Sequence, residues 1–351
     1  MKKKRFLITG GYGFIGSSLV RGLVKDKNVE ICNIDKLTYS SNLDSFDHSN
    51  LDNYQFKKID IVDFKKINDA VFDFKPDYIL HLAAETHVDR SIDGPDEFIK
   101  SNILGTYNLL NSSYSYWNNL LSEEKKNFKF LYVSTDEVYG SLDPKEAPFT
   151  ETSNYNPNSP YSASKASADH LVRSWYKTYS LPVLITNTCN NYGPWQFPEK
   201  LIPLVISKCL LGDSIPVYGD GNQVRDWIRV EDHVEGLLTV LSKGVIGEKY
   251  NIGSNCEVSN IQVVKDICRI LDKLKPNKKI SSYVDLITYV DDRPGHDRRY
   301  AIDNKKISDL NWSPKFTWQH GIEETVIWYL NNESFLKSNN NNYSGERLGR
   351  I

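Results

Sequence analysis

A strand-like apolar run, Phe130-Leu131-Tyr132-Val133, leads directly into Ser134-Thr135-Asp136-Glu137-Val138-Tyr139-Gly140. Two adjacent carboxylates at the end of a buried strand are costly to keep, because burial penalises the charged form and each charge penalises the other. Such a pair suits general acid–base work: one carboxyl stays protonated and donates while its neighbour stays ionised and accepts. The two would titrate as a pair. An exposed acidic turn is the bland reading, and the company the pair keeps decides between them. Downstream, Pro160 opens a helix on which Tyr161 and Lys165 stand four residues apart, one turn apart on one face. A nearby ammonium favours the phenolate, so this spacing predicts a lysine that lowers the tyrosine pKa and makes the hydroxyl a usable base. Alone, Tyr-x-x-x-Lys is a common amphipathic surface pair, and it becomes chemical only beside a second motif.

That motif is Thr9-Gly10-Gly11-Tyr12-Gly13-Phe14-Ile15-Gly16, which follows the first strand and opens the first helix. Gly10, Gly13 and Gly16 stand where a backbone must turn tightly, approach a pyrophosphate and let helix and strand pack closely, with the helix N-terminus facing the phosphates. A glycine trio alone is weak, and its plain reading is a strand-to-helix turn. Here the second strand ends in Asp35, at the distance expected of a carboxylate that binds ribose hydroxyls. Together they predict a dinucleotide site. Asp35, rather than a basic residue, favours NAD over NADP, although Lys36 follows it.

The elements that must hold these residues alternate regularly. β-rich runs at 5–8, 29–34, 54–59, 78–82, 128–133 and 183–187 are separated by helical periodicity at 14–24, 64–74 and 95–110. This predicts an α/β fold, a Rossmann-type doubly wound parallel sheet, with a smaller C-terminal substrate-binding lobe. The expected division is residues 1–188 for the dinucleotide, with returning segments at about 226–255, then 189–337 for substrate, with clear helices at 258–274 and 322–330. The polar tail 338–351, with four consecutive asparagines, is expected to be poorly ordered in part. A chain of 351 residues with 40% apolar and 25% charged residues suits a globular enzyme, and a net charge of −2 offers no general attraction to nucleic acid or anionic membrane. The basic start, Lys2-Lys3-Lys4-Arg5, is too short to change that, and no stretch resembles a signal peptide or a membrane span. The five cysteines are scattered and odd in number, and read as reduced core thiols. His81, His87 and His296 show no metal-ligand spacing, so no metal is expected.

These motifs, with Leu82-Ala83-Ala84-Glu85, resemble the extended short-chain dehydrogenase/reductase family. Within it they are similar to nucleotide-sugar 4,6-dehydratases, most closely those that take dTDP-glucose. The resemblance is carried by Asp35-Lys36-Leu37-Thr38-Tyr39, Ala83–Ser91, Ser134–Gly140, Asn190-Asn191-Tyr192-Gly193-Pro194, Phe197–Pro203 and Arg293–Tyr300, with a weaker echo in Arg347-Leu348-Gly349. It implies oxidation at carbon 4 of the hexose, elimination of water across carbons 5 and 6, and hydride return to carbon 6, so that NAD ends as it began. Tyr161 would then be the base at the 4-hydroxyl with Lys165 behind it, Glu137 the base at carbon 5, Asp136 the acid at carbon 6, and Thr135 a hydrogen-bond partner of the 4-hydroxyl.

By the same resemblance the NAD contacts would come from Gly10, Gly13, Phe14, Ile15, Gly16, Asp35, Lys36, Leu37, Thr38, Asp60, Ile61, Leu82, Ala83, Ala84, Thr86, Asn102, Ser134, Tyr161, Lys165 and Asn191. Thr86, Thr135, Asn190, Lys200, Leu201, Pro216, Tyr218, Arg225, Asn260, Arg293 and His296 would bind the nucleotide-linked hexose, the cations taking the pyrophosphate. Arg229 departs from the pattern, since many relatives have an aromatic or aliphatic residue there. A cytoplasmic homodimer pairing through helices at 95–111 and 160–179 is also implied. The alternatives are the same chemistry on UDP-glucose or UDP-N-acetylglucosamine, an epimerase, which normally carries small residues in place of Asp136 and Glu137, and a catalytically silent NAD-binding sensor, which would be expected to have lost Tyr161, Lys165 or the acids.

Overall fold

A computed structural model describes residues 3–49 and 51–340. Lys2 of the basic start, most of the polar tail and the Arg347-Leu348-Gly349 echo lie outside the described residues.

The first six strands are β1 (Lys4–Thr9), β2 (Val29–Asp35), β3 (Tyr54–Lys58), β4 (Tyr78–His81), β5 (Lys129–Thr135) and β6 (Val183–Thr188). With a seventh strand, Lys249–Ile252, they form one sheet in the order β3-β2-β1-β4-β5-β6-(Lys249–Ile252). Every neighbouring pair runs parallel. Central strands such as Phe130-Leu131-Tyr132-Val133 are apolar at consecutive positions because both faces are covered. One face packs on helices Phe14–Leu23 and Val230–Lys243 through Leu19, Val20, Leu237 and Val240. The other packs on Phe64–Phe74, Thr106–Asn118 and Pro160–Tyr179 through Ile67, Val71, Leu109 and Val172. The doubly wound fold is therefore as expected, and its strand order reverses between β1 and β4, where a crevice opens at the carboxyl ends of the strands.

The later chain builds a separate apolar cluster from helices Leu201–Leu211, Asn260–Leu274 and Trp318–Asn331, around Ile206, Val264, Ile267 and Val326. A three-stranded sheet, Glu257–Ser259, Val224–Arg229 and Asn190–Tyr192, and a parallel pair, Ile215–Tyr218 with Ile287–Val290, complete it. The expected helix at 95–110 is not regular: Pro95–Phe98 passes into a π-helical stretch, Ile99–Gly105, before Thr106–Asn118. Within that wider stretch the Asn102 side chain is buried and bonds the backbone of Glu85 on both sides, accepting from its N–H at 2.9 Å and donating to its carbonyl at 3.0 Å. No helix among the described residues is long and apolar enough to cross a membrane.

Candidate active site

At the head of the crevice the first strand ends in Gly10, whose φ of +75° favours glycine and whose missing Cβ would lie 2.7 Å from the Ala83 amide nitrogen. A Cβ on Gly16 would lie 2.0 Å from the Gly10 carbonyl oxygen. These contacts leave an open cradle at the N-terminus of the Phe14–Leu23 helix, the geometry that suits a pyrophosphate. Asp35, buried at the end of β2, accepts from the backbone N–H groups of Tyr12 and Leu37 and from the Ser41 hydroxyl. Lys36 is already matched, with its Nζ 3.1 Å from both Glu85 Oε1 and Ser101 Oγ.

One turn further into the same cavity, β5 runs into a short helical turn, Asp136–Tyr139. The Thr135 hydroxyl accepts from the Glu137 N–H and donates to Asp136 Oδ1, each at 3.3 Å, so one side chain fixes both acids. Asp136 Oδ2 is buried with no hydrogen-bond partner among the described residues, a donor or acceptor position left for a ligand. Burial, then the charge of Glu137, pushes the Asp136 carboxyl well above the ordinary range. Burial also raises Glu137, but the cations Arg293, Arg225 and Lys200 work against it. The environment thus separates the two: both are raised, Asp136 further, so Asp136 holds its proton more firmly than Glu137.

Tyr161 opens the Pro160–Tyr179 helix, where Ser159 caps the N-terminus by accepting from the Ser162 N–H at 3.0 Å, and Ser91 Oγ accepts from the Tyr161 N–H. The expected lysine-lowered tyrosine is not found. Tyr161 is pushed upward, first by burial and then by the Glu137 charge, with the Thr135 hydroxyl opposing. The Lys165 ammonium is spent elsewhere: it donates to the Val133 carbonyl at 2.8 Å and lies 4.3 Å from the centre of the Tyr132 ring. Four-residue spacing brings the two side chains to one face without bringing their polar ends together. Burial lowers Lys165 itself to about 8.

One cavity is lined by most of the residues singled out in the sequence: the glycine turn with Phe14 and Ile15, Asp35, Lys36, Thr38, Ile61, Leu82, Ala83, Ala84, Thr86, Ser134–Glu137, Tyr161, Lys165, Asn190, Asn191 and Lys200. Leu37, Asp60, Asn102, Leu201, Pro216, Tyr218, Arg225, Asn260, Arg293 and His296 are not in that lining. Asn102 is turned inward to the Glu85 backbone and to Ser164 Oγ. Arg293 pairs with Asp89 at 2.5 Å, Tyr218 donates to the same carboxylate at 3.0 Å, and Arg225 donates to the Asp297 carbonyl while lying over the Tyr300 ring. Arg293 and Arg225 lie outside the lining, and with Lys200 they work against the rise that burial imposes on Glu137. Arg229, the departure from the family pattern, is buried against Glu231, Glu324 and the Phe316 ring, outside the cavity lining. The lining residues that sequence reasoning missed include Ser40, Ser41, Glu85, Ser101, Cys189, Phe197 and Glu199. Phe197 and Glu199 lay within a quoted motif, and their partners across the fold were the missing signal. No group of His, Cys, Asp or Glu able to hold a metal ion occurs among the described residues.

The sequence model of the GDP-mannose 4,6 dehydratase family matches residues 7–325. The dTDP-glucose 4,6-dehydratase of Neisseria meningitidis serogroup B is 50% identical over 351 residues, covering 99% of each chain. The dTDP-glucose 4,6-dehydratase 1 of Escherichia coli K12 is 52% identical, covering 95% of this chain and 94% of that one. Among solved structures, dTDP-glucose 4,6-dehydratase from Bacillus anthracis in complex with NAD is 42% identical at a TM-score of 0.82, covering 96% of this chain and 99% of that one. A UDP-glucose 4-epimerase from Thermotoga maritima reaches a TM-score of 0.81 at 28% identity, covering 94% of this chain and 99% of that one. With its family match spanning most of its length and half its residues shared with those relatives, the chain belongs to the GDP-mannose 4,6 dehydratase family, within the extended short-chain dehydrogenases/reductases.

Proposed function

We propose that this protein is an NAD-dependent nucleotide-sugar 4,6-dehydratase that converts dTDP-glucose to dTDP-4-keto-6-deoxyglucose. The observation that carries the reading is the adjacent Asp136/Glu137 pair fixed by Thr135, Asp136 buried and raised well above the ordinary range, Glu137 half-buried and faced by three cations. The overall fold is shared with epimerases, so fold does not decide. Elimination needs an acid and a base side by side; epimerisation does not. The glycine cradle and Asp35 fit NAD, and an engaged Lys36 beside a carboxylate offers little to a further phosphate on the ribose. Relatives bound to NAD support the same cofactor. When bound, NAD supplies the hydride acceptor for the first step and the hydride donor for the last.

The chain's own residues move the protons. Thr135 and Tyr161 face the 4-hydroxyl, and Tyr161 takes its proton in the ionised form, which burial and the Glu137 charge oppose and the Thr135 hydroxyl favours. A ketone at carbon 4 acidifies the proton on carbon 5. Glu137 accepts that proton while Asp136 gives its own to the 6-hydroxyl, which leaves as water. The Glu137 proton returns to carbon 5 as carbon 6 is reduced, Asp136 regains one through solvent, and Tyr161 releases the one it took, which closes the cycle. Lys200, Arg225 and Arg293 carry the positive charge suited to the diphosphate. Residues 1–188, with the return at 226–255, hold the cofactor, and 189–337 mainly the sugar nucleotide. The enzyme pairs as a homodimer through 95–111 and 160–179, where Ile99, Leu104, Tyr107 and Tyr179 are exposed, and it works in the cytoplasm, where five free cysteines stay reduced.

The test is to incubate purified protein separately with dTDP-glucose, UDP-glucose and UDP-N-acetylglucosamine and to read the products by mass spectrometry. Loss of one water from dTDP-glucose supports the reading. An isomer of unchanged mass would make it an epimerase, and water loss only from a uridine substrate would correct the nucleotide.

A further inference from the structure

The segment from Gly193 to Lys200 crosses from the second lobe to the first. Its early part is fixed in the second lobe: Trp195 packs on Trp328 with ring centres 4.8 Å apart, and the Tyr329 hydroxyl donates to the Gln196 carbonyl at 2.8 Å. Its far end is held by the opposite lobe through one buried carboxylate. Glu199 Oε1 accepts from the Tyr39 hydroxyl at 3.0 Å, and Glu199 Oε2 accepts from Arg90 Nε at 3.1 Å. The Arg90 guanidinium lies 4.1 Å from the centre of the Tyr39 ring, whose edge meets Phe197, so the three partners also stack on one another. His87 Nε2 is 4.0 Å away, and burial keeps that imidazole neutral. Beside it Lys200 Nζ donates to the Thr86 carbonyl at 2.9 Å.

Phe197, Glu199 and Lys200 line the same cavity as Thr38, Ser40 and Ser41, the neighbours of Tyr39. Glu199 therefore joins this segment to the loop that follows Asp35, both of them lining the cavity that also holds the glycine turn. We propose that Glu199 is a positioning residue that retains the cofactor: by tying the segment to Tyr39 and Arg90 it closes the cavity over bound NAD, which leaves only after both bonds break. This rests on the NAD-dependent dehydratase reading. An enzyme that restores its cofactor each turnover has no need to exchange it, and a charge-assisted clasp out of water is a strong and specific way to prevent exchange.

The experiment measures NAD exchange in the absence of sugar nucleotide. Purified protein is loaded with radiolabelled NAD, chased with unlabelled NAD and sampled for retained label. Tyr39→Phe removes one hydrogen bond and keeps the ring, and Glu199→Gln keeps the shape and removes the charge. If opening of the clasp limits release, each variant exchanges roughly tenfold faster or more, as expected for losing a hydrogen bond to a charged group. Turnover lost on desalting then returns when NAD is added. Because the buried amide of Glu199→Gln can itself disturb folding, Tyr39→Phe is the deciding variant, with unchanged circular dichroism as its control. Exchange at the wild-type rate in a folded Tyr39→Phe protein would overturn the clasp alone. So would turnover that stays lost at saturating NAD, since Glu199 would then serve the chemistry and not retention. A wild-type protein that binds no NAD would overturn the clasp and the functional reading together.

Discussion

Asp136 and Glu137 are neighbours in sequence but not in environment, and that difference assigns their tasks. Asp136 has an unpartnered oxygen and is pushed well up by burial and by Glu137, so it holds a proton to give. Glu137 is raised less decisively because three cations face it, so it can accept one. Replacing Glu137 by Gln leaves Thr135 and Tyr161 in place, and oxidation at carbon 4 should proceed while elimination stalls. Overall turnover should fall by roughly 10²–10⁴-fold. Quenching the reaction with borodeuteride should then place deuterium at carbon 4 of a sugar that keeps all its oxygens, whereas Tyr161→Phe should give no such label. Acidity should report the same groups. Lys165 is lowered to about 8, so it is charged below that pH and loses its proton as pH rises through it; an activity that needs the ammonium falls on the alkaline side near pH 8. Glu137 is raised above 4.5, so the base is lost as pH falls through a point higher than an ordinary glutamate. A profile of turnover against pH should be bell-shaped, and turnover that stays level well above pH 8 would remove Lys165 from the account.

Among the elements, the glycine turn positions everything downstream. Gly16→Ala would drive a Cβ to 2.0 Å from the Gly10 carbonyl oxygen, which cannot yield without opening the cradle. The variant should fail to retain NAD on gel filtration, as read from the cofactor recovered per subunit, and full retention would contradict the cradle's role. This turn was legible in the sequence because glycine spacing and a strand-end carboxylate are local signals. The sheet was legible for the same reason: consecutive apolar β-formers mark strands covered on both faces. Two other features were not. The π stretch at Ile99–Gly105 keeps the composition of a helix, and only the long-range bonds of Asn102 to Glu85 reveal the wider turn. The strand Val224–Arg229 buries Arg225, Asp226 and Arg229, so its pattern reads as polar loop until Tyr300, the Ser254–Cys256 segment and Glu324 are brought beside it. The Tyr161–Lys165 pair shows the converse: helical spacing placed both on one face, yet Lys165 reaches the Val133 carbonyl instead of the tyrosine.

For the whole molecule, residues from Gly10 to Lys200 line one cavity at the carboxyl ends of the parallel strands, and Arg225 and Arg293, outside that lining, act on Glu137. Pairing of subunits through the helices at 95–111 and 160–179 would bury Ile99, Leu104, Tyr107 and Tyr179, which stand exposed on the single chain. Light scattering at micromolar concentration should give twice the 40.3 kDa of one chain, and Leu104→Glu should shift the mass toward one. A monomer for the unaltered protein would reject the pairing. The central claim is that hydrogen passes from carbon 4 to carbon 6 within one site, with water eliminated between and no net consumption of cofactor. It is tested most directly with dTDP-glucose carrying deuterium at carbon 4 and a catalytic amount of NAD. The account predicts a 4-keto-6-deoxy product with that deuterium in its carbon-6 methyl group, while deuterium retained at carbon 4 or lost from the product would contradict it.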